Sequence, residues 1–134
     1  MCAQRRFFSF LALLGFSATT VAFAQLPPGV KIVGMKSMPV TVTAGSYELV
    51  DQVIELAPGA SIPNHTHGGP VAVTIISGQV TIKDATGSHK LVAGQSATEQ
   101  KGYVHSATNT GTTPARISAS YLLAKGASLL TPAK

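Results

Sequence analysis

Two histidines, His65 and His67, are separated by a single residue and could bind one metal ion together. In an extended segment, residues two apart project their side chains from the same face, so both imidazoles would point to the same side. Imidazole nitrogen is a ligand for zinc, copper, iron and nickel. A polar surface loop such as residues 63–67 can also carry two histidines without a function, and the pair alone leaves both interpretations open.

Other catalytic motifs are absent from the sequence. There is no G-x-S-x-G motif of the kind that presents a nucleophilic serine, and no glycine-rich loop opens a helix. The only cysteine is Cys2, within the first 24 residues. The rest of the chain therefore has no thiol for catalysis, metal binding or a disulfide.

The histidines lie in a chain of short apolar runs separated by turn residues. Alternation over Tyr47–Leu56 predicts a strand with one buried face, and the apolar run Val71–Ile76 predicts a strand buried in a closed sheet. Many short strands with turn signals between them are typical of an all-β sandwich or barrel. Further strands are predicted at residues 40–43, 80–83, 89–92, 103–110 and 115–124, with another between Gly94 and Gly102.

The glycines around the first two histidines follow a known spacing. Gly59, five residues, His65, one residue, His67 and ten residues to Gly78 resemble the first motif of the cupin superfamily, G-x5-H-x-H-x3,4-E-x6-G. This motif places two metal ligands on one segment and a glutamate shortly after them.

A second motif lies downstream in the expected order. Gly94, seven residues, Gly102, two residues, His105, three residues and Asn109 resemble the second cupin motif, G-x5-P-x-G-x2-H-x3-N. The two motifs together extend from Gly59 to Asn109 and resemble those of small single-domain cupins of type 2.

The resemblance implies a single antiparallel cupin-type β-barrel, also called a double-stranded β-helix or jelly roll, over residues 46–124. Residues 25–45 would form a lead-in and first strand, and residues 125–134 a tail. The barrel mouth would hold one divalent transition metal (iron, manganese, zinc, nickel or copper). Its ligands would be His65, His67 and His105, and the motif glycines Gly59, Gly78, Gly94 and Gly102 would hold turns with positive φ.

The chain departs from the family pattern at two positions. Val71 stands where the first motif has glutamate, and Gln100 stands where the second has proline. Three neutral imidazoles would leave the charge of a divalent ion uncompensated, which predicts weaker metal binding and a preference for an anionic further ligand. Gln52 shares the face of Val50 and Ile54 and could point into the barrel, or face water at a strand edge.

Three further side chains have expected places. Glu99 and Gln100 lie near the mouth, where either could replace the missing glutamate, but they are expected to be solvated loop residues. Asn109, on the same strand face as His105, is expected to brace a turn or to lie behind the metal ligands. His89 beside its hairpin is expected at the surface.

The first 24 residues resemble an export signal. Arg5 and Arg6 supply the positive start, residues 7–16 a short apolar run, and residues 22–24 a small-x-small cleavage pattern. A bilayer span needs about 20 apolar residues, so cleavage is expected and a retained anchor is the alternative. A periplasmic or secreted protein follows, with no membrane contact after cleavage. Residues 4–8 leave open whether export uses the twin-arginine or the general route.

Charge gives little indication of a macromolecular partner. The chain carries +5, and without Arg5 and Arg6 eight basic residues remain against five acidic ones. The basic residues are scattered singly, whereas nucleic-acid binding needs them clustered. Cupins often pair through edge strands, which otherwise stay uncovered, so the resemblance implies a homodimer and a small-molecule ligand.

Three functions remain open from the sequence. The first is an exported metal-binding cupin that holds a small oxygen-rich or anionic ligand. The second is an iron(II)- or manganese(II)-dependent dioxygenase-like oxidoreductase acting on a small phenolic substrate. The third is a metal-free barrel used for structure or interaction, with Val71 marking the loss of the site. No catalytic residue is assigned.

Overall fold

The computed structural model describes Pro28 and residues 31–134. The predicted export signal, residues 1–24, lies outside the described residues, as does most of the predicted lead-in before residue 31. The chain divides after Lys31, and every strand lies beyond that point. Within the described residues, no helix has the length and apolar character needed to cross a bilayer.

The described part of the chain has nine strands in two antiparallel sheets. One sheet has the order β1-β8-β3-β6 and the other β5-β4-β7-β2-β9. The predicted all-β class is therefore confirmed. The strands are β1 Tyr47–Leu56, β2 Ser61–Thr66, β3 Val71–Ser77, β4 Gln79–Asp84, β5 Gly87–Val92, β6 Ser96–Glu99, β7 His105–Thr108, β8 Ala115–Ala124 and β9 Thr131–Pro132.

The two sheets pack face to face and are not closed into the predicted barrel. Within the described residues, the outer strands β1, β6, β5 and β9 each pair with one neighbour, so no ladder joins one sheet to the other. The two sheets are held together by burial of apolar side chains between them. The core combines Val73 and Ile117 of the first sheet with Val80 and Ile82 of the second.

Strand β3 shows how the core is built. Val71, Val73 and Ile75 are buried, whereas Ala72, Thr74 and Ile76 are exposed. The strand is thus buried on one face only, unlike the fully buried strand expected from its apolar run. The reason is that nothing in the described chain covers the outer face of this sheet at Ile76, so alternation sets burial even where the residues are all apolar.

The motif glycines hold turns as expected. Gly59, Gly78, Gly94 and Gly102 have φ values of 78°, 76°, 84° and 74°, which side chains with a Cβ rarely adopt. At Gly78 a Cβ would also lie 2.7 Å from the Cα of Ala115. Gly59 and Gly102 come shortly before β2 and β7, the strands that carry His65 and His105.

Two predictions about the ends of the domain were wrong. Residues 40–43 form no strand and are exposed, because their alternating pattern has no ladder partner. Residues 125–134 are not simply a tail, since they include β9, which pairs with β2 at His65 and Thr66. This C-terminal segment, residues 125–134, lies against the segment that carries the first two histidines.

Candidate metal centre

The three predicted histidines lie together on the second sheet. His65 is in β2 and His105 begins β7, and the two are direct partners in the β2–β7 ladder. His67 follows one residue after β2 ends. All three side chains are buried, and each offers a nitrogen within 4.8 Å of the others. The three imidazoles that the sequence motifs singled out therefore lie together.

Each imidazole is oriented by a backbone carbonyl. The Nδ1 atoms of His65, His67 and His105 lie 2.7, 2.6 and 3.1 Å from the carbonyl oxygens of Pro63, Leu129 and Tyr103, respectively. A carbonyl oxygen only accepts, so each Nδ1 carries the proton and donates it. The Nε2 atoms of the neutral rings are left as acceptors, which is the tautomer that binds metal.

A fourth acceptor, the Glu99 carboxylate, lies beside two of these imidazoles. Its Oε2 atom is 3.2 Å from the Nε2 atoms of both His67 and His105. The expectation that Glu99 would be a solvated loop residue is wrong, because it ends β6 and is only 7% exposed. It faces inward since its partner across the β3–β6 ladder is the buried Val71, and opposite residues share a face.

With neutral rings, His67 and His105 face Glu99 as acceptors, so either a proton on an imidazole or a metal ion stabilises the group. Burial opposes protonation of His105, but the neighbouring Glu99 carboxylate outweighs burial and raises the pKa of His105. For Glu99, burial favours the neutral form, and the hydrogen bonds of His105 and His67 outweigh it and lower its pKa to about 2. Burial lowers the pKa of His65. The three histidines could hold a divalent metal in place of these protons.

A small apolar cavity of about 80 Å³ adjoins the cluster and lies between the sheets. Gln52 lines it, as the inward alternative for this residue predicted, and so does the buried Tyr121, whose ring packs edge-on to His67 at 5.3 Å. Apart from these two, the histidines and Glu99, the walls are aliphatic. An apolar cavity of about 150 Å³ can hold benzene, so this one fits only a smaller molecule.

A second cleft, of about 300 Å³, also reaches His105 and Glu99. Its polar rim includes Lys36, His89 and Tyr103. His89 lies at the surface as expected, with its Nε2 atom 2.8 Å from the Thr86 hydroxyl. This cleft is large enough for a small ring and leads to the acceptor cluster.

The other two candidate residues have structural places. Val71 packs in the core and does not line the apolar cavity. Asn109 is buried and braces a turn, since its Nδ2 atom donates to the carbonyls of Leu56 and Thr113 at 2.9 and 2.8 Å. Its Oδ1 atom accepts from the Gly111 amide. Neither residue belongs to the histidine cluster.

Known proteins of the same architecture are numerous among solved structures. An uncharacterized conserved protein with a double-stranded β-helix domain from Klebsiella pneumoniae is 29% identical, with a TM-score of 0.54 over 68% of this chain and 75% of that one. A predicted oxalate decarboxylase from Thermotoga maritima is 26% identical, with a TM-score of 0.50 over 56% and 65%. No curated protein sequence matches the chain.

A more distant structure agrees on the fold. A cupin superfamily protein from Desulfitobacterium hafniense is 13% identical, with a TM-score of 0.51 over 63% of this chain and 84% of that one. The sequence model of one family, described as cupin domain, matches residues 52–123, more than half of the chain. The matched range contains both histidine motifs, and the chain belongs to the cupin family.

Proposed function

We propose that this chain is a metal-binding cupin in which His65, His67 and His105 bind one divalent transition metal. The carrying observation is the set of three buried imidazoles whose Nδ1 atoms donate to carbonyls, leaving three Nε2 acceptors at one point. Nitrogen ligands of this kind suit iron, manganese, zinc, nickel or copper. When bound, such a metal supplies Lewis acidity to an oxygen atom of a ligand.

The ligand we propose is small, mostly apolar and able to offer an oxygen atom to the metal. An oxygen-rich or anionic ligand was expected because Val71 removes the usual carboxylate, but Glu99 supplies a negative charge at the cluster. The adjoining cavity is aliphatic apart from Gln52 and Tyr121. Extra hydroxyl groups of a ligand would be left there without hydrogen-bond partners, at a cost of about 1–3 kcal/mol each.

Metal titration of the purified protein tests this function. We expect one metal per chain by calorimetry and elemental analysis, and we expect His105→Ala to lower the affinity by at least 10-fold, because a ligand is lost. His89→Ala is the matched control, since this exposed histidine lines the second cleft and is not one of the three clustered histidines. Wild-type protein that takes up none of the five metals would favour the metal-free alternative instead.

A second candidate function is a dioxygenase-like oxidoreductase for a small phenolic substrate. It is favoured by the apolar 80 Å³ cavity beside the cluster, which suits a diatomic gas better than a ring, and by the 300 Å³ cleft, which can take a ring. A dioxygenase places both oxygen atoms in the substrate, which supplies the electrons, so no reductant is needed. Oxygen uptake by the metal-loaded protein with catechols and flavonols tests it, and a flat trace throughout would contradict it.

We also propose that the chain is exported and forms a homodimer. Export is supported by Arg5, Arg6 and the apolar run that follows them. Dimerisation is supported by the edge strand β1, on which Leu49 and Val53 are 78% and 65% exposed. Mass spectrometry of the mature N-terminus tests export, with Gln25 as the expected first residue. Light scattering measures the oligomeric state.

A further inference from the structure

The carboxylate that the first motif lacks is replaced in space by one from another strand. Val71 occupies the motif's glutamate position, and its direct partner across the β3–β6 ladder is Glu99. Side chains of directly opposed residues leave the sheet on the same face, with Cβ atoms about 4.5–5.5 Å apart. A glutamate at either position therefore reaches the same volume between the sheets.

The distances around Glu99 are those of neighbouring ligands on one metal. Its Oε2 atom lies 3.2 Å from Nε2 of His67 and 3.2 Å from Nε2 of His105. With metal–ligand bonds of about 2.0–2.2 Å, adjacent ligand atoms are about 2.8–3.1 Å apart in an octahedral site and about 3.3–3.6 Å apart in a tetrahedral one. In the metal-free protein the same distance suits a hydrogen bond from a protonated imidazole, and a metal ion would take the place of that proton.

We propose that Glu99 is the fourth protein ligand of the metal. This inference rests on the proposed metal-binding function. Glu99 lies within the second motif, six residues before His105. Val71, at the position where the first motif has glutamate, packs in the core. The site thus keeps three imidazoles and one carboxylate, and the loss of the motif glutamate does not mark a decaying site.

Exchanging the two residues tests the assignment. Zinc and cobalt(II) are titrated into wild type, Glu99→Gln, and the double variant Val71→Glu with Glu99→Val, using calorimetry and the visible spectrum of cobalt. We expect Glu99→Gln to lower the affinity by at least 10-fold and to change the cobalt spectrum. The double variant is expected to recover most of the affinity, because its glutamate enters the same volume.

Glu55→Gln is the matched control, since Glu55 is an exposed carboxylate that pairs with Arg116 on the outer face. Glutamine is nearly isosteric with glutamate, so Glu99→Gln keeps the packing, and thermal melting of the metal-free protein checks that it is folded. If Glu99→Gln binds zinc within 2-fold of the wild-type affinity and gives the wild-type cobalt spectrum, the inference is overturned. The proposed three-histidine site would remain intact. Wild type without metal binding would overturn the proposed function, and this inference with it.

Discussion

The β2–β7 strand pair and the C-terminal segment both orient histidines of the site, but over very different distances along the chain. His65 and His105 donate their Nδ1 protons to carbonyls only two residues away, at Pro63 and Tyr103. His67 donates to Leu129, which is 62 residues away. Two of the rings are therefore fixed by their own strands, and the third depends on a remote segment.

The C-terminal segment has other contacts with the same region. Thr131 and Pro132 pair with β2, and the Gly68 amide donates to the Ser128 carbonyl at 2.9 Å. Leu129 and Leu130 line the apolar cavity. The segment is thus a wall of the site as well as an orienting group, and its loss should affect His67 before the other two ligands.

Deleting residues 127–134 is expected to have the largest effect. The deletion removes the Leu129 carbonyl, frees the His67 ring to rotate and opens the cavity. Loss of groups that orient metal ligands costs 10- to 100-fold in affinity, and we expect about 100-fold here. Zinc titration of the truncated protein measures it. Leu130→Ala is the control, because it alters the wall and keeps the carbonyl.

A full-length variant separates orientation from simple loss of chain. In Gly68→Ala the new Cβ would lie 2.5 Å from the Ser128 oxygen, so the C-terminal segment must move away. We expect an intermediate loss of zinc affinity. Wild-type affinity in both the truncated protein and Gly68→Ala would show that His67 needs no remote support.

The same contrast between near and remote contacts explains what the sequence could predict. Period-two alternation and glycine spacing are local, and they predicted most strands, the turn glycines and the three clustered histidines. Glu99 was misplaced because its burial depends on the register of β6 against β3. Ala97 shares its face, but only the Val71–Glu99 pairing indicates that this face is the inner one.

The predictions for the two ends of the domain were wrong for a related reason. Residues 40–43 alternate like a strand but have no partner, and residues 125–134 have little alternation yet include β9. Strand formation at both places depends on whether a neighbouring edge is available, which local pattern does not encode. β2 pairs with β7 along one edge, and its other edge is available to β9.

Asn109 offers a test that lies in the same motif as His105 but outside the metal cluster. Asn109→Ala removes three hydrogen bonds of the side chain, and at about 1 kcal/mol per hydrogen bond the expected destabilisation is about 3 kcal/mol. Urea denaturation measures it, with the exposed Asn64→Ala as the control. We expect metal stoichiometry to stay unchanged at low temperature. A loss of metal with unchanged stability would instead make Asn109 a support of the ligands.

The smallest expected effect is at the β4–β5 turn, which is held by local contacts alone. The Oδ1 atom of Asp84 accepts from the amide and hydroxyl of Thr86 at 2.7 and 2.6 Å, and from the Gly87 amide at 3.2 Å. The hydrogen bond from the Thr86 side chain is the main cause that lowers the Asp84 pKa from 3.8 to about 2. Because the pKa of Asp84 is lower in the folded protein, its ionised form stabilises the fold at every pH above the ordinary pKa of 3.8. This stabilisation is lost as the pH falls from 3.8 through about 2.

Asp84→Asn should therefore melt at a lower temperature than wild type at pH 5, and the gap should narrow between pH 4 and pH 2. Melting curves at pH 5, 3 and 2 measure the gap. Zinc affinity at pH 7 is expected to remain within 2-fold of wild type, because the Asp84 side chain bonds within the turn and Asp84 pairs with His105 through the backbone of the β4–β7 ladder. The absence of a gap at pH 5 would mean that the amide oxygen of asparagine holds the turn as well as the carboxylate does, and a gap that is equal at all three pH values would mean that the carboxylate charge does not cause it.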